Sequence, residues 1–232
     1  MREALKGILD FLYPKVCLVC EQVRLASDEH FVCKACERDF DTFSLPNEAT
    51  NEMMARLWAN FPMQQAIDDA IALYRFYKSG KVQAVIHAFK YEGLPAVAVE
   101  YGKKLGQKIW AERPTAHFDG IAFMPLHPVR KLERGYNQAE QLAKGVSEIL
   151  QTPVLDCLIR TRYTATQTGL DVAERERNMK DAFEATGDLS GKRLILVDDV
   201  FTTGSTMLSC ARALRKAGTV HLTIAALAVA TS

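Results

Sequence analysis

From residue 70 onward, short apolar segments alternate with segments whose apolar residues recur at helical spacing. Val82, Val85, Ile86 and Phe89, for example, fall on one face of a helix. Strands that alternate with helices predict a mainly parallel sheet with helices on both faces, whose strand-end loops lie along one edge. Ligands bind at that edge in this class of protein. The predicted strands are 70–77, 120–126, 153–159, 192–200 and 220–229, and the predicted helices are 82–89, 95–110, 137–150 and a last helix that ends before Gly218.

Length and charge limit the domain organisation and the partners. The chain of 232 residues is longer than one typical domain of about 150 residues. It has 29 basic and 28 acidic residues, so its net charge gives no support to bulk polyanion binding. The charge is uneven along the chain, because residues 71–120 hold eight basic residues against four acidic ones. A local phosphate site or a local contact with a nucleic-acid strand is therefore compatible with the composition.

Four of the six cysteines lie near the N-terminus as two C-x2-C pairs, Cys17 with Cys20 and Cys33 with Cys36. Two such pairs on a short stretch of chain can place four thiolates around one Zn²⁺. An iron–sulfur cluster would use the same ligands, and His30 is an alternative ligand. Redox-active pairs would need a thioredoxin-like context that this segment lacks. We expect a structural zinc site, because four cysteines leave no coordination position open.

The stretch from Leu194 to Thr206 carries the most chemical information. A buried strand ends at two adjacent carboxylates, Asp198 and Asp199, and a hydroxyl-rich loop then leads into a helix. Backbone N–H groups of such a loop bind phosphate, whereas the carboxylates suit the hydroxyls of a sugar. The pattern therefore predicts a ribose 5-phosphate site. A capped helix would explain only one or two of these polar residues. The loop residues are Thr202, Thr203, Gly204, Ser205 and Thr206.

The same stretch resembles the phosphoribosyl-pyrophosphate (PRPP) signature of type I phosphoribosyltransferases. Other motifs, in order along nearly the whole chain, resemble those of the ComF family. They are Tyr13-Pro14 with the first cysteine pair, Ile86-His87-Ala88-Phe89-Lys90-Tyr91-Glu92-Gly93, Pro125-Leu126-His127-Pro128, Arg134-Gly135-Tyr136-Asn137-Gln138-Ala139, Gln167-Thr168-Gly169-Leu170, and Arg175 with Arg177-Asn178.

The resemblance implies an α/β protein, in which a phosphoribosyltransferase-type, mainly parallel sheet flanked by helices follows a small N-terminal four-cysteine zinc segment. We expect the zinc-ribbon-like segment over residues 1–45 and a linker with a short helix over 46–69. The phosphoribosyltransferase-type domain would span 70–232, with hood or peripheral elements at 70–115 and the core at 116–232.

The resemblance also implies roles for individual residues. Asp198 and Asp199 would be the catalytic pair and would accept hydrogen bonds from the ribose 2′- and 3′-hydroxyls, while the loop 202–206 would hold the 5′-phosphate. The loop 127–134 lies where this fold binds pyrophosphate, although its charges are equally compatible with a solvated surface. The segment 163–173 matches the position of a mobile lid. The candidates in and beside these two segments are His127, Arg130, Lys131 and Arg134 for pyrophosphate and Gln167, Arg175 and Asn178 for the lid or a ligand.

The implied reaction displaces pyrophosphate from the anomeric carbon of PRPP by a nucleophilic atom of an acceptor. Mg²⁺ would be held mostly by pyrophosphate, the ribose diol and water. Catalysis would rest on positioning and charge stabilisation, and the sequence offers no evident general base. The acceptor stays unidentified, and its pocket is expected within residues 60–115. Lys90 and Tyr91 end a helix there and either face the site or pack on the surface.

Two other functions are compatible with the sequence. The protein could bind PRPP or a nucleotide as a sensor without transfer. It could also be a DNA-handling adaptor that contacts single-stranded DNA or a helicase, since some ComF proteins serve the uptake of external DNA. Tyr74, Phe76 and Tyr77 beside Arg75 and Lys78 could stack on a DNA strand, or they could form a strand with one buried face.

No segment of the sequence approaches the roughly 18 consecutive apolar residues that a membrane-spanning helix needs. We therefore expect a cytoplasmic protein without membrane insertion.

Overall fold

The main sheet has five strands in the order β1-β7-β6-β2-β3, and every neighbouring pair is parallel. The computed structural model describes residues 16–22, 24–26, 29–126, 128–161 and 182–231. A separate antiparallel pair, β4-β5, lies outside this sheet. The mainly parallel sheet expected from the sequence is confirmed. The strands are β1 (Asp69–Phe76), β2 (Gly120–Phe123), β3 (Val154–Leu155), β4 (Leu158–Arg160), β5 (Phe183–Ala185), β6 (Arg193–Phe201) and β7 (His221–Ala230).

The helices form where apolar residues recur at helical spacing. Asn137 begins one of them, because its side-chain oxygen accepts a hydrogen bond from the Ala139 N–H at 3.0 Å while its amide donates to the Met124 carbonyl at 2.9 Å. In the described part of the chain, no helix combines the length and apolarity that crossing a bilayer requires. The helices are α1 (Lys34–Arg38), α2 (Glu48–Asn60), α3 (Lys81–Tyr91), α4 (Pro95–Glu112), α5 (Pro128–Arg134), α6 (Gln138–Leu150) and α7 (Ser205–Lys216).

Two sequence-based expectations for local structure were wrong. The apolar run 153–159 is not one strand, because β3 pairs with β2 in the main sheet whereas β4 pairs with β5. An apolar run cannot by itself distinguish one strand from two. Residues 128–134 form α5 rather than a loop; Pro128 occupies its first position, where a proline is compatible with a helix because its missing N–H is not needed.

The short helix predicted within the linker 46–69 is α2, which fills most of that segment. Met53 and Leu57 on α2 are fully buried, and the Thr50 hydroxyl donates to the Ala70 carbonyl at 2.6 Å. The helix thus packs directly on β1 and beside the carboxyl end of the sheet.

The strands β6 and β7 are buried along most of their length. Parallel strands that are covered on both faces read as continuous apolar runs, and this is why the two segments were recognisable in the sequence. Strand β6 is hydrogen-bonded to β2 on one side and to β7 on the other. Its carboxyl end therefore lies near the middle of the edge at which ligands bind in this class of protein.

Helices α4 and α6 approach each other closely through glycines. A Cβ atom added at Gly145 would lie 2.1 Å from the Val99 carbonyl oxygen, and one at Gly102 would lie 2.2 Å from the Leu142 carbonyl oxygen. Because both obstacles are backbone atoms, a side chain at either position forces the two helices apart.

We expect Gly145→Ala to lower the free energy of unfolding by about 3 kcal/mol or more, since overpacking outweighs the roughly 1 kcal/mol that alanine gains in helix propensity. Urea unfolding measures the change. Lys144→Ala, at an exposed position of the same helix, is the control and should change stability by less than about 1 kcal/mol. An equal effect of the two substitutions would show that the close approach does not matter.

Candidate functional site

Two adjacent carboxylates lie at the carboxyl end of the central strand β6. Asp199 is only 5% exposed, and its Oδ2 lies 2.8 Å from the Nζ of Lys90 on α3. Asp198 accepts a hydrogen bond from the backbone N–H of Asp199 at 2.8 Å. Among the described residues, Lys90 is the only cation that forms an ion pair with either carboxylate. The sequence is compatible with Lys90 either facing the site or packing on the surface, and the structure places its ammonium beside Asp199.

The electrostatic surroundings of the two carboxylates differ. Burial raises the pKa of Asp198 above its usual range, and the nearby charge of Asp199 raises it further. The N–H of Asp199 and the ammonium of Lys90 act against this rise. Asp198 therefore holds a proton more readily than an ordinary aspartate does.

The loop 202–206 turns sharply into helix α7. Gly204 has a φ of +81°, and a Cβ atom there would lie 2.4 Å from Leu57 and 2.9 Å from the ring of Phe201. A glycine is thus required both by the backbone conformation and by the close contact with α2. Beside it, the Thr203 hydroxyl accepts from the Ser205 N–H at 3.4 Å and lies 3.2 Å from the Ser205 hydroxyl.

Helix α2 holds the carbonyl side of this loop. Arg56 donates to the Thr202 carbonyl at 3.1 Å and to the Ala230 carbonyl at 2.6 Å, and Asn60 donates to the Thr203 carbonyl at 3.3 Å. In a trans peptide the N–H points away from the carbonyl of the same unit. The N–H groups that follow these two carbonyls, those of Thr203 and Gly204, therefore point away from α2. Together with the N-terminus of α7, they make an anion-binding arrangement.

A basic cavity of about 430 Å³ adjoins the carboxylates. Three of its lining residues are cationic, and one is acidic. The guanidinium of Arg134 lies 5.2 Å from the ring centre of Tyr91, and the Tyr136 hydroxyl donates to the Phe89 carbonyl. The structure thus brings Arg130 and Arg134, both predicted for pyrophosphate, together with Lys90. The lining residues are Lys90, Tyr91, Gly93, Arg130, Glu133, Arg134 and Tyr136.

Lys131 lies in α5, whereas the other remaining candidates of the pyrophosphate and lid segments are outside the described part of the structure. These are His127, Gln167, Arg175, Asn178 and the segment 163–173.

The aromatic residues of the segment 74–77 differ in burial, since Tyr74 lies in the core, Phe76 is partly buried and Tyr77 is exposed. Tyr74 is buried and packs edge-on against Phe40, with the ring centres 5.2 Å apart. Arg75 pairs with Glu48 at 2.7 Å, and the Tyr77 hydroxyl donates to Asp41 at 2.7 Å. Of the two interpretations given for this segment, the structure shows the strand with a buried face.

The four N-terminal cysteines form a candidate metal centre, since their four Sγ atoms all lie within 4.8 Å of one another. Four sulfurs around Zn²⁺, each at about 2.3 Å from the ion, would be about 3.8 Å apart. The chemistry and the spacing of the donor set therefore fit a structural zinc ion. Sequence spacing alone predicted this cluster.

Backbone donors surround the cluster and favour thiolates. Cys17 Sγ accepts from the Cys33 N–H at 3.3 Å and from the Val19 N–H at 3.4 Å, and Cys33 Sγ accepts from the Cys36 N–H at 3.5 Å. Burial works against ionisation of Cys17, but these N–H donors outweigh it and lower the pKa of that thiol. In Cys36, burial and the neighbouring cysteines raise the pKa instead.

Specific contacts attach the cysteine segment to the rest of the protein. Glu37 pairs with Lys104 on α4, and Asp39 pairs with Lys81 at the start of α3. Phe40 packs against Tyr74 and Tyr101. A metal that fixes the cysteine segment would therefore also support α3 and β1.

Comparison with known proteins gives similarity along most of the chain. The phosphoribosyl transferase domain family matches residues 135–231. Competence protein F of Haemophilus influenzae is 28% identical over 206 residues, which cover 85% of this chain and 90% of that protein. DNA utilization protein YhgH of Escherichia coli is 29% identical over 216 residues, which cover 88% of this chain and 92% of that protein. A solved structure of the allosteric regulatory enzyme of purine biosynthesis is 23% identical, with a TM-score of 0.42, and the match covers 60% of this chain and 29% of that one.

We expect chelation to release bound metal and to unfold the cysteine segment while the parallel sheet stays folded, because structural zinc supplies much of the folding free energy of such segments. Limited proteolysis should then cut within residues 16–41, and elemental analysis of Cys33→Ser should show loss of metal. Cys157→Ser, which changes a cysteine outside the cluster, is the control and should keep its metal. Unchanged proteolysis after complete metal removal would contradict a structural role.

We expect Asp198→Asn to stabilise the fold by about 1–3 kcal/mol at about pH 8 and by much less at about pH 5. The native pKa of Asp198 is raised above its ordinary value of 3.8, so the wild type loses stability as the pH rises from that value through the native pKa. Asparagine carries no such charge and still accepts the Asp199 N–H. Urea unfolding at both pH values measures the difference, with the exposed Asp156→Asn as control. A gain in the free energy of unfolding that does not increase with pH would contradict the raised pKa of Asp198.

Proposed function

We propose that this chain binds PRPP at the carboxyl end of β6 and transfers the phosphoribosyl group to an acceptor. Its similarity to the phosphoribosyl transferase domain family, to competence protein F and to YhgH supports this proposal. The observation that carries the proposal is the order of three chemically distinct subsites around one strand end. Paired carboxylates lie between an N–H-rich helix start and a cavity with three cations. The three subsites match the diol, the 5′-phosphate and the pyrophosphate of one ligand.

In this proposal the loop 202–206 binds the 5′-phosphate. Gly204 allows the backbone to approach the phosphate, and the N–H groups of Thr203 and Gly204 donate to its oxygens. The hydroxyls of Thr202, Thr203, Ser205 and Thr206 supply further donors at the same place. Helix α2 holds the loop from behind, so the donors are oriented before the ligand arrives.

Asp198 and Asp199 would accept hydrogen bonds from the ribose 2′- and 3′-hydroxyls. Their negative charge excludes phosphate from this subsite and thereby fixes which end of the ligand lies at α7. The carboxylates also face the anomeric centre, where positive charge develops as the pyrophosphate departs. Arg130 and Arg134 would bind the pyrophosphate, with His127 as a further candidate. Gln167, Arg175 and Asn178 would belong to a lid or contact the ligand.

The reaction exchanges one bond for another at the anomeric carbon. The bond from this carbon to the pyrophosphate oxygen breaks, and its electron pair leaves with pyrophosphate. A nucleophilic atom of the acceptor forms the new bond and releases its proton to solvent. When bound, Mg²⁺ would neutralise part of the pyrophosphate charge, and Asp198 and Asp199 would be available to hold it together with the ribose diol and water. The chain's own residues position the two reactants and stabilise charge, and no covalent intermediate on the protein is needed.

The names of the relatives, competence protein F and DNA utilization protein YhgH, favour a role in DNA uptake. We propose that the transfer reaction serves this process in the cytoplasm. Contacts with single-stranded DNA or a helicase would not involve Tyr74, because its side chain is buried. The proposed division of the chain stays at 1–45, 46–69 and 70–232. A PRPP sensor without transfer is the second candidate, and it is favoured by the absence of an evident general base in the sequence.

We expect the double variant Asp198→Asn with Asp199→Asn to lose Mg·PRPP binding by at least about a hundredfold, because two charge-assisted hydrogen bonds to the ribose disappear. Isothermal titration calorimetry measures the affinity, and circular dichroism verifies the fold. Asp156→Asn should bind like the wild type. Undiminished affinity in the double variant would refute the assigned site.

Transfer is tested separately by an acceptor screen that detects pyrophosphate release. Release that depends on both PRPP and an added acceptor supports the enzyme. PRPP binding without release from any acceptor class would favour the sensor.

A further inference from the structure

Lys90 lies at the border between the carboxylate pair and the basic cavity. It belongs to the last turn of α3, and its ammonium is 2.8 Å from Asp199 Oδ2. The same side chain lines the cavity together with Arg130 and Arg134. We propose that Lys90 has two alternative partners, Asp199 and the pyrophosphate group of the ligand, and that ligand binding moves its ammonium from the first to the second.

Competition for one carboxylate oxygen supports this exchange. The proposed function requires Asp199 to accept a ribose hydroxyl, and Lys90 already lies within hydrogen-bonding distance of its Oδ2. Both side chains are largely buried, with exposures of 19% for Lys90 and 7% for Asp199. The Oδ2 atom of Asp199 is itself buried and accepts no hydrogen bond from the described residues, so a ribose hydroxyl reaches it only if a neighbouring group such as Lys90 moves. The hydroxyl and the ammonium are thus in competition, and the inference rests on the proposed function to this extent.

The charge of the cavity supplies a second partner for the ammonium. Arg130 and Arg134 attract an anion, and the one acidic lining residue, Glu133, offsets only part of their charge. Pyrophosphate carries more negative charge than one carboxylate, so it attracts an ammonium more strongly at equal distance. When Lys90 moves to it, the ribose hydroxyls take the place of the lysine beside Asp199.

The geometry of α3 allows the ammonium to move while the backbone stays in place. The Tyr136 hydroxyl donates to the Phe89 carbonyl, directly before Lys90, and Arg134 packs on the ring of Tyr91, directly after it. These contacts fix the helix end against the segment that carries Arg134. The lysine stem has four flexible carbons and three rotating donors, so a rotamer change suffices to exchange partners.

The exchange predicts opposite effects of one substitution on two halves of the ligand. In Lys90→Met, pyrophosphate in the presence of Mg²⁺ should bind about tenfold more weakly, because one charge-assisted contact is lost. Ribose 5-phosphate should bind as tightly as to the wild type or more tightly, because its hydroxyl no longer competes with the ammonium. Lys90→Arg keeps the charge and should retain most of the pyrophosphate affinity.

Calorimetric titration of each ligand alone tests the inference. Lys81→Met, on the first turn of the same helix and paired with Asp39, is the matched control and should change neither affinity. If Lys90→Met does not fold, the same pyrophosphate titration with Lys90→Met plus Asp199→Asn, which removes both charges, replaces it. Wild-type pyrophosphate affinity in either variant would overturn the inference.

Weaker ribose 5-phosphate binding in Lys90→Met would also overturn the inference, because it would show that the lysine only holds Asp199 in position. These failures differ from failure of the proposed function, in which the wild type itself would bind neither ligand.

Discussion

Strand β6 is hydrogen-bonded on both sides, to β2 and to β7, and this double pairing fixes the position of everything that follows it in the chain. A shift by one residue would turn every side chain to the opposite face of the sheet, so the register is strongly determined. Asp198 and Asp199 lie near the end of this fixed strand. Gly204 then precedes α7 and packs closely against Leu57 of α2. Arg56 and Asn60 of α2 bind carbonyls of the loop 202–206. The sheet and α2 together therefore fix the orientation of the loop N–H groups.

Opposite charges lie side by side in the site and give each part of a ligand its own environment. The carboxylate pair attracts hydroxyls, and the neighbouring cavity with Arg130 and Arg134 attracts anions. Helix α3 connects this arrangement with the cysteine segment, since its first residue, Lys81, pairs with Asp39 and its last turn carries Lys90. The four-cysteine cluster is thereby joined to the site through one helix.

Local sequence patterns predicted those features of the structure that depend on residues close together in the chain. Helical periodicity predicted α3, α4 and α6, buried apolar runs predicted β6 and β7, and the spacing of the cysteines predicted the sulfur cluster. The run 153–159 was assigned to one strand because its division between two sheets depends on which distant strands are available as partners. The contact between Lys90 and Asp199 likewise arises from tertiary packing of α3 beside the end of β6. The close approach of Gly145 to Val99 also arises from tertiary packing. A glycine in a helical stretch of sequence does not by itself predict such a contact.

The central claim is that the end of β6 and the start of α7 bind one phosphoribosyl group. A crystal structure of the protein grown with ribose 5-phosphate tests this most directly. We expect the sugar hydroxyls within hydrogen-bonding distance of Asp198 and Asp199 and the phosphate on the N–H groups of the loop 202–206. A phosphate bound away from this loop, or a sugar that does not contact either aspartate, would contradict it.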